Sequence, residues 1–196
     1  MSSGLRSFSR SYELNLTPER EMTSSSPDTT PNKRELSSDN AERRFLRHTL
    51  ATLAYRAEKP LRNAPAGFAD VRAAPDSRTA GEILAHMSDL MDWALWIARG
   101  EQRWETTPPT AWDADSDRFF ASLAALDAYL ASDAPLAVTA EQIFQAPIAD
   151  ALTHTGQLNV LRRLADAPVR GENYARAHID AGRVGRDQSA DRSEFD

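Results

Sequence analysis

Apolar residues recur every three or four positions in four separate segments of the chain, which is the spacing of one face of an α-helix. In the first segment, AERRFLRHTLATLAYRAEK (residues 41–59), leucine and alanine side chains form such a stripe. Pro60 ends this predicted helix, because proline disfavours the helical conformation of the residue before it. The residues predicted to face the core here are Leu46, Leu50, Leu53 and Ala57.

The second segment, TAGEILAHMSDLMDWALWIARG (residues 79–100), has the clearest helical pattern. It opens with Thr79 and, three residues later, Glu82, a pair that is typical of a capping box. Gly100 follows the last apolar position and predicts the end of the helix, since glycine readily adopts the left-handed conformation found there. The predicted core stripe consists of Ile83, Met87, Leu90, Ala94 and Ile97.

Two further helices follow in the second half of the chain. The third is predicted over about 113–132, and the fourth from Pro147, in its first turn, to near Asp166. No segment predicts a strand of useful length, so the pattern indicates an all-α fold and a four-helix bundle. The predicted core positions are Phe119, Leu123, Leu126 and Leu130 in the third helix, and Ala151, Leu158, Leu161 and Ala165 in the fourth.

The two ends of the chain lack this periodicity. Residues 1–38 are dominated by Ser, Thr, Pro and charged residues, which cannot bury enough apolar area to offset the entropy of ordering, so we expect a disordered tail. The bundle domain is predicted over 39–188 and a polar C-terminal tail over 189–196. The sequence leaves open whether translation starts at Met1 or at Met22.

Composition excludes several classes of function. The net charge of −6 gives no basic surface for nucleic acid, so no nucleic-acid partner is expected. The absence of cysteine excludes disulfides, thiol nucleophiles and cysteine-based zinc sites. No apolar run approaches the roughly 20 residues of a membrane-spanning helix, so no membrane partner is expected, and a cytoplasmic location is predicted.

Two predicted helices direct metal-ligand side chains towards the core. At 100° per residue, His86 lies on the flank of the apolar stripe of the second helix. His154 lies near the centre of the inner face of the fourth helix, and Asp150 lies one turn before it. Imidazole nitrogen and carboxylate oxygen suit a divalent transition metal, and three such ligands leave positions open for water or substrate. Gln157 flanks the site, and we expect it to orient Asp150 by donating a hydrogen bond to it.

The same residues have simpler interpretations. His86 and Asp150 can form a buried hydrogen-bonded pair with nothing bound between them. Asp150 can also be an acid of the first helical turn, where it would interact favourably with the helix dipole. Of the other two histidines, His48 is expected at the surface, and His178, in the C-terminal segment, is expected to have a structural or solvated role. The residues alone leave these alternatives open.

Two stretches resemble the DinB-like bundle proteins, the DinB/YfiT group of metalloenzymes. EILAHMSDLMDWAL resembles the second helix of that family, and IADALTHTGQLNVLRRLADAPV resembles its later helix. The resemblance spans about residues 40–188, its sharpest motif is HTGQ at 154–157, and the continuation PVRGENYARAHIDAGRVGRDQ is similar to one subgroup of the family.

The resemblance implies an up-down four-helix bundle that is often a homodimer. It also implies a divalent metal bound by one histidine of the second helix and by two histidines, four residues apart, of the later helix. His86 and His154 match two of these positions. The chain departs from the family at the third position, where it has Asp150 instead of a histidine. A carboxylate is still a metal ligand, so the expected set is two histidines and one aspartate.

Together these features predict a metal-dependent enzyme that acts on a small molecule, with Zn²⁺ or Ni²⁺ as the expected ion. For the reaction, the resemblance implies thiol-dependent transfer, with a low-molecular-weight thiol as partner, or hydrolysis. The substrate is expected to enter at one end of the bundle, past the loop from Trp104 to Trp112. The alternative is a non-enzymatic, dimeric helical binding or stress-associated protein with a degenerate metal site.

Overall fold

The structure is a computed structural model that describes residues 33–195, with side chains described from residue 40 onwards. Residues 1–32 of the predicted disordered tail lie outside the described residues. The rest of that predicted tail is helical, because the first helix begins at Lys33. This helix ends at Leu61, one residue beyond Pro60, which is close to the helix end predicted from the proline.

Helices dominate the described part of the chain, so the prediction of an all-α fold is confirmed. A π-helical segment, Phe144–Ile148, joins α4 to α5, and single 3₁₀ turns occur at Phe68–Asp70 and Tyr174–Arg176. Two short strands pair antiparallel near the C-terminus. The elements are α1 (Lys33–Leu61), α2 (Ala80–Ala98), α3 (Trp112–Ala131), α4 (Ala140–Ile143), α5 (Ala149–Leu164), β1 (Gly171–Glu172) and β2 (Glu194–Phe195).

The ends of α2 follow from local sequence. The Thr79 hydroxyl accepts a hydrogen bond from the Glu82 backbone N–H at 3.1 Å, and the Glu82 carboxylate accepts one from the Thr79 N–H at 2.7 Å. The predicted capping box is therefore confirmed. Gly100 follows the helix with a φ of +81°, a conformation that a side chain would disfavour.

The start of the last helix differs from the prediction. A second capping box, between Thr139 and Gln142, begins helical structure at Ala140, and the chain stays helical through the π-segment into α5. The placement of Pro147 in the first turn is therefore wrong. Proline lacks an N–H, and the wider π-turn accommodates this without ending the helix. Asp150 consequently lies inside a continuous helical segment, so a role at a helix N-terminus has no basis.

The directions of the helices do not alternate strictly along the chain, as they would in a simple up-down bundle. The Trp112 indole at the start of α3 donates to the Leu61 carbonyl at the end of α1, at 3.2 Å, so these helices are antiparallel. Arg118 near the start of α3 donates to the Ala85 carbonyl near the start of α2, at 2.7 Å. At the other end, Tyr129 of α3 contacts the carbonyl at the end of α2, so α2 and α3 are parallel.

Parallel neighbours require a connection that returns along the bundle. The 19 residues of α2 span about 28 Å. Residues 99–111, at about 3.3 Å each when extended, are long enough to run back beside α2. The Arg103 guanidinium lies over the Trp96 ring near the end of α2, and Pro109 approaches Gly81 near its start. The connection therefore lies alongside α2 over most of its length.

The predicted stripes form the core. Each residue predicted to face inwards is buried, except Ala165, which is partly buried at the edge of the core. α3 and α5 each pack against both α1 and α2. Among residues 33–195, no helix combines the length and the apolar character that a membrane span requires.

The C-terminal segment is polar, as predicted, but it is attached to α1 rather than separate from the domain. β2 pairs with β1, and Lys59 of α1 forms ion pairs at 2.9 Å with both Glu172 and Glu194. Arg192 forms an ion pair at 2.6 Å with Glu58. The bundle domain therefore extends to Phe195 at least.

Candidate metal centre

The site lies between α2 and α5, which run antiparallel and pack against each other. His86 is in the first half of α2, two turns after the capping box. Asp150 and His154 lie one turn apart on α5, so their side chains share one face of that helix. The structure brings these three predicted residues together, with one potential ligand atom from each within 4.8 Å of the others.

The carboxylate of Asp150 lies between the two imidazoles. Its Oδ2 is 3.6 Å from Nε2 of His86, and its Oδ1 is 3.4 Å from Nε2 of His154. The two rings are nearly perpendicular, at 81°, with their centroids 5.0 Å apart. Both nitrogen–oxygen distances exceed the 2.7–3.2 Å of a good hydrogen bond. They match the roughly 3–4 Å between ligand atoms around one zinc-type ion, whose bonds are about 2.0–2.2 Å long.

Asp150 is ionised in this environment. Contacts with the imidazole of His154, and secondly with that of His86, hold the pKa of its carboxyl well below the usual range. Burial opposes this effect but does not outweigh it. An ionised carboxylate that faces two imidazole nitrogens is a ready ligand for a cation.

Gln157 has a different partner from the one predicted. Its Oε1 lies 2.8 Å from Nδ1 of His154, and not against Asp150. With the amide oxygen as acceptor, Nδ1 of His154 carries a proton, and Nε2 is the ring nitrogen that faces Asp150 and would bind a metal ion after losing its own proton. Histidines that bind metals commonly donate their second ring N–H to such a partner. Gln157 therefore orients the ligand atom of His154.

The site is shielded from solvent on most sides. The side chains of His86 and His154 are 11% and 9% exposed, whereas that of Asp150 is 37% exposed. A charged ligand at a partly open position needs less compensation for lost hydration than a fully buried one.

The returning connection after α2 covers one side of the site. The Trp104 ring packs edge-on against His86, at 5.8 Å between centroids, and against Trp93 at 5.7 Å. The Thr107 backbone N–H donates to the Asp89 carboxylate at 3.0 Å, and Arg118 forms an ion pair with the same carboxylate at 2.8 Å. Asp89 is buried, and it anchors the connection that holds Trp104 over the site.

A pocket of about 390 Å³ opens on the other side of His154. It lies towards the end of the bundle where α2 begins, and the connection between α1 and α2 forms part of its wall. The loop from Trp104 to Trp112 does not line this pocket. The pocket therefore does not open along the substrate route that the sequence predicts. The residues that line it include Ser77, Arg78, Ile83, His154, Gln157, Val160 and Leu161.

Sequence reasoning missed Arg78 and Ser77. Both precede the capping box of α2 in a segment without periodicity, and no local signal indicates that this segment folds against α5. The other two histidines agree with the prediction. His48 is exposed, and the His178 side chain is 69% exposed beside Asp191.

Comparison with known proteins gives no match: no family model, no curated protein and no solved structure is similar to this chain. The resemblance to the DinB-like proteins therefore stays a prediction, and the chemistry of the site rests on its own geometry.

The donor set fits a divalent transition metal. Two imidazoles and one carboxylate from two packed helices can hold an ion with coordination positions left for water or substrate. The described residues thus provide a site that can hold a metal ion.

Proposed function

We propose that this protein binds a divalent metal, Zn²⁺ or Ni²⁺, through His86, Asp150 and His154, and uses it in catalysis on a small molecule. The observation that carries the proposal is the convergence of these three side chains, with Asp150 between the two imidazoles at distances longer than hydrogen bonds. When bound, such an ion lowers the pKa of a coordinated water or thiol and stabilises the anion that forms.

The residues around the site have separate roles in this proposal. Asp150 supplies the negative charge, and Gln157 keeps Nε2 of His154 directed at the ion. Trp104 excludes water from the side of His86. The pocket beside His154 leaves the opposite side open for a substrate.

We further propose that the bundle is of the DinB-like type and forms a homodimer, with thiol-dependent transfer or hydrolysis as its reaction. These points rest on the resemblance of the EILAHMSDLMDWAL and HTGQ segments to that family. The departure at Asp150 makes the ligand set two histidines and one aspartate.

Metal analysis tests the proposal. The purified full chain is stripped with a chelator, incubated with Zn²⁺ or Ni²⁺ and dialysed. We expect near-stoichiometric metal, and its loss in His154→Ala and in the more conservative His154→Gln. His48→Ala is the matched control, because this exposed histidine lies outside the site, and it should retain the metal.

Two outcomes would contradict the proposal. The first is a folded chain that stays metal-free after incubation with either ion, as expected for a non-enzymatic helical binding protein. The second is equal metal content in the His154 and His48 variants, which would place the metal elsewhere.

Substitution with Co²⁺ tests whether a coordination position is open to a thiol. Addition of 2-mercaptoethanol to the Co²⁺ protein should produce a sulfur-to-cobalt charge-transfer band. An unchanged spectrum would argue against thiol-dependent transfer and leave hydrolysis as the reaction to assay.

A further inference from the structure

The pocket beside His154 combines an apolar wall with one cationic side chain. The buried part of this wall consists of Ile83 of α2 and Leu161 of α5, which are 4% and 3% exposed. Val160, which is 48% exposed, extends the apolar wall to the surface. At about 390 Å³ the cavity is in the range of pockets that hold small molecules. An apolar body of several carbon atoms fits such a wall.

Arg78 gives the pocket a positive charge. Its side chain is exposed at the pocket, and it forms no salt bridge or side-chain hydrogen bond with any residue that the structure describes. The lining contains no carboxylate, although the chain as a whole has 29 acidic and 23 basic residues. Arg78 is therefore the one formally charged side chain of the lining, and the ionised Asp150 lies behind His154, on the side of the metal site.

We propose that this pocket binds a small organic anion, a carboxylate with an apolar body, whose charge pairs with Arg78. The apolar body lies on Ile83, Val160 and Leu161, and the side-chain NH2 of Gln157, whose oxygen contacts His154, provides a polar contact at the rim. The molecule extends from Arg78 towards His154, and only this orientation towards a metal rests on the proposed function.

Arginine is suited to this role because its planar guanidinium forms two parallel hydrogen bonds with a carboxylate. Pairing with an anion would give the exposed guanidinium a partner that the described chain does not provide. An amine of the same length would be repelled by Arg78, so the pocket distinguishes the two by charge.

Octanoate is the probe for the test, with octylamine as the probe of opposite charge. Each is titrated into the full chain in the presence of EDTA, and binding is followed by the shifts of backbone amide NMR signals. We expect octanoate to bind, with the largest shifts within residues 77–83 and 154–161, and octylamine not to bind there. The same titration is repeated on the zinc-loaded protein.

Arg78→Gln should weaken octanoate binding at least about tenfold, since the charge-assisted hydrogen bonds of the guanidinium to the carboxylate are lost. Arg78→Lys should recover part of the affinity. Arg163→Gln is the matched control, because this arginine is exposed on α5 and does not line the pocket. It should bind octanoate as the unchanged protein does.

Equal octanoate affinity in Arg78→Gln and the unchanged protein, equal binding of octylamine, or shifts confined to another surface would each overturn this inference. Metal binding by Arg78→Gln should be unchanged. Octanoate binding in a chain that takes up no metal would leave the pocket assignment intact and remove the proposed function. Metal uptake without octanoate binding would overturn the pocket assignment and leave the proposed function intact.

Discussion

The chemistry of the site depends on single atoms of three side chains. Asp150 offers one carboxylate oxygen to each imidazole, and Gln157 determines which nitrogen of His154 carries the proton. These contacts involve few atoms, so conservative substitutions can separate the role of each residue as a ligand from its role in packing.

Asp150→Asn should lower the affinity for Zn²⁺ by at least about tenfold, because an amide oxygen is a neutral and weaker ligand than a carboxylate. The side chain is partly exposed, so the fold should remain. Competition with a chromophoric chelator measures the affinity. Asp76→Asn, at an exposed position, is the control. Unchanged affinity in Asp150→Asn would exclude Asp150 from the ligand set.

Gln157→Ala should reduce metal affinity about 10-fold, the lower end of the range for partners that orient a ligand. The exposed position makes a large loss of folding stability unexpected. Gln157→Glu should restore binding, since a carboxylate also accepts a hydrogen bond from Nδ1 of His154. Gln145→Ala, also exposed on the same helical segment, serves for comparison. Failure of the glutamate variant to bind better than the alanine variant would refute the orienting role.

The lowered pKa of Asp150 predicts how the metal-free protein responds to acid. Folding favours the ionised carboxylate, so its contribution to stability is present above the unfolded pKa of about 3.9 and is lost as the pH falls through the lower folded value. Urea unfolding in EDTA between about pH 5 and pH 2 should therefore show a smaller loss of stability on acidification in Asp150→Asn. Parallel curves for the two proteins would contradict the pKa shift.

At the scale of elements, the bounds of helices come from local chemistry and their arrangement from connections. Thr79 and Thr139 each begin a helix through a capping box. The connection 99–111 then returns beside α2, anchored at Asp89, and this path places Trp104 on His86. A bundle with the same helices and a short turn after α2 would leave that side of the site uncovered.

Gly156→Ala should raise the free energy of unfolding by about 0.5–1 kcal/mol, because glycine is unfavourable within a helix. A Cβ added at Gly156 meets no atom within 4 Å, so nothing opposes the gain. Gly100→Ala should have the opposite effect and lower the free energy of unfolding, since a residue with a side chain is strained at the φ of +81° that Gly100 adopts. Urea unfolding measures both. Destabilisation by Gly156→Ala would show that this helix face has contacts beyond those of the described chain.

At the scale of the whole molecule, the C-terminal segment is joined to the last turns of the first helix by buried charges. The side chains of Lys59 and Glu172 are 2% and 0% exposed, and the hydroxyl of Tyr55 donates to the same glutamate. Arg192 lies over the Tyr55 ring and pairs with Glu58. Residues more than a hundred positions apart are thereby held together on the outside of the bundle.

Arg192→Met should lower the free energy of unfolding by about 1.5–3 kcal/mol, because the buried Glu58 carboxylate loses a charged hydrogen bond and keeps only its 3.4 Å pair with the half-exposed Arg62. The partner side chain, Glu58, is 8% exposed. Chemical denaturation provides the measurement, with Arg163→Met as an exposed control. A loss no larger than that of the control would mean that the C-terminal segment contributes little to stability.

Local sequence by itself determined the helices and the residues that could form a site. Apolar spacing identified the core stripes, the Thr79 capping box identified the start of α2, and rotation along each helix pointed His86 and His154 inwards. These features depend on residues within one or two turns of each other. They could therefore be predicted, whereas the early start of the last helical segment was missed because Pro147 outweighed the pattern at Thr139 and Gln142.

Only the tertiary structure decided which groups meet. Three of these features bring together residues that are distant in the chain: the parallel packing of α2 and α3, the position of Trp104 and the presence of Arg78 in the pocket. The contact of Gln157 with His154 depends on one particular rotamer. Such contacts are selected by the packing of the whole core and by the paths of the connections. The periodicity of a single segment contains no information about either.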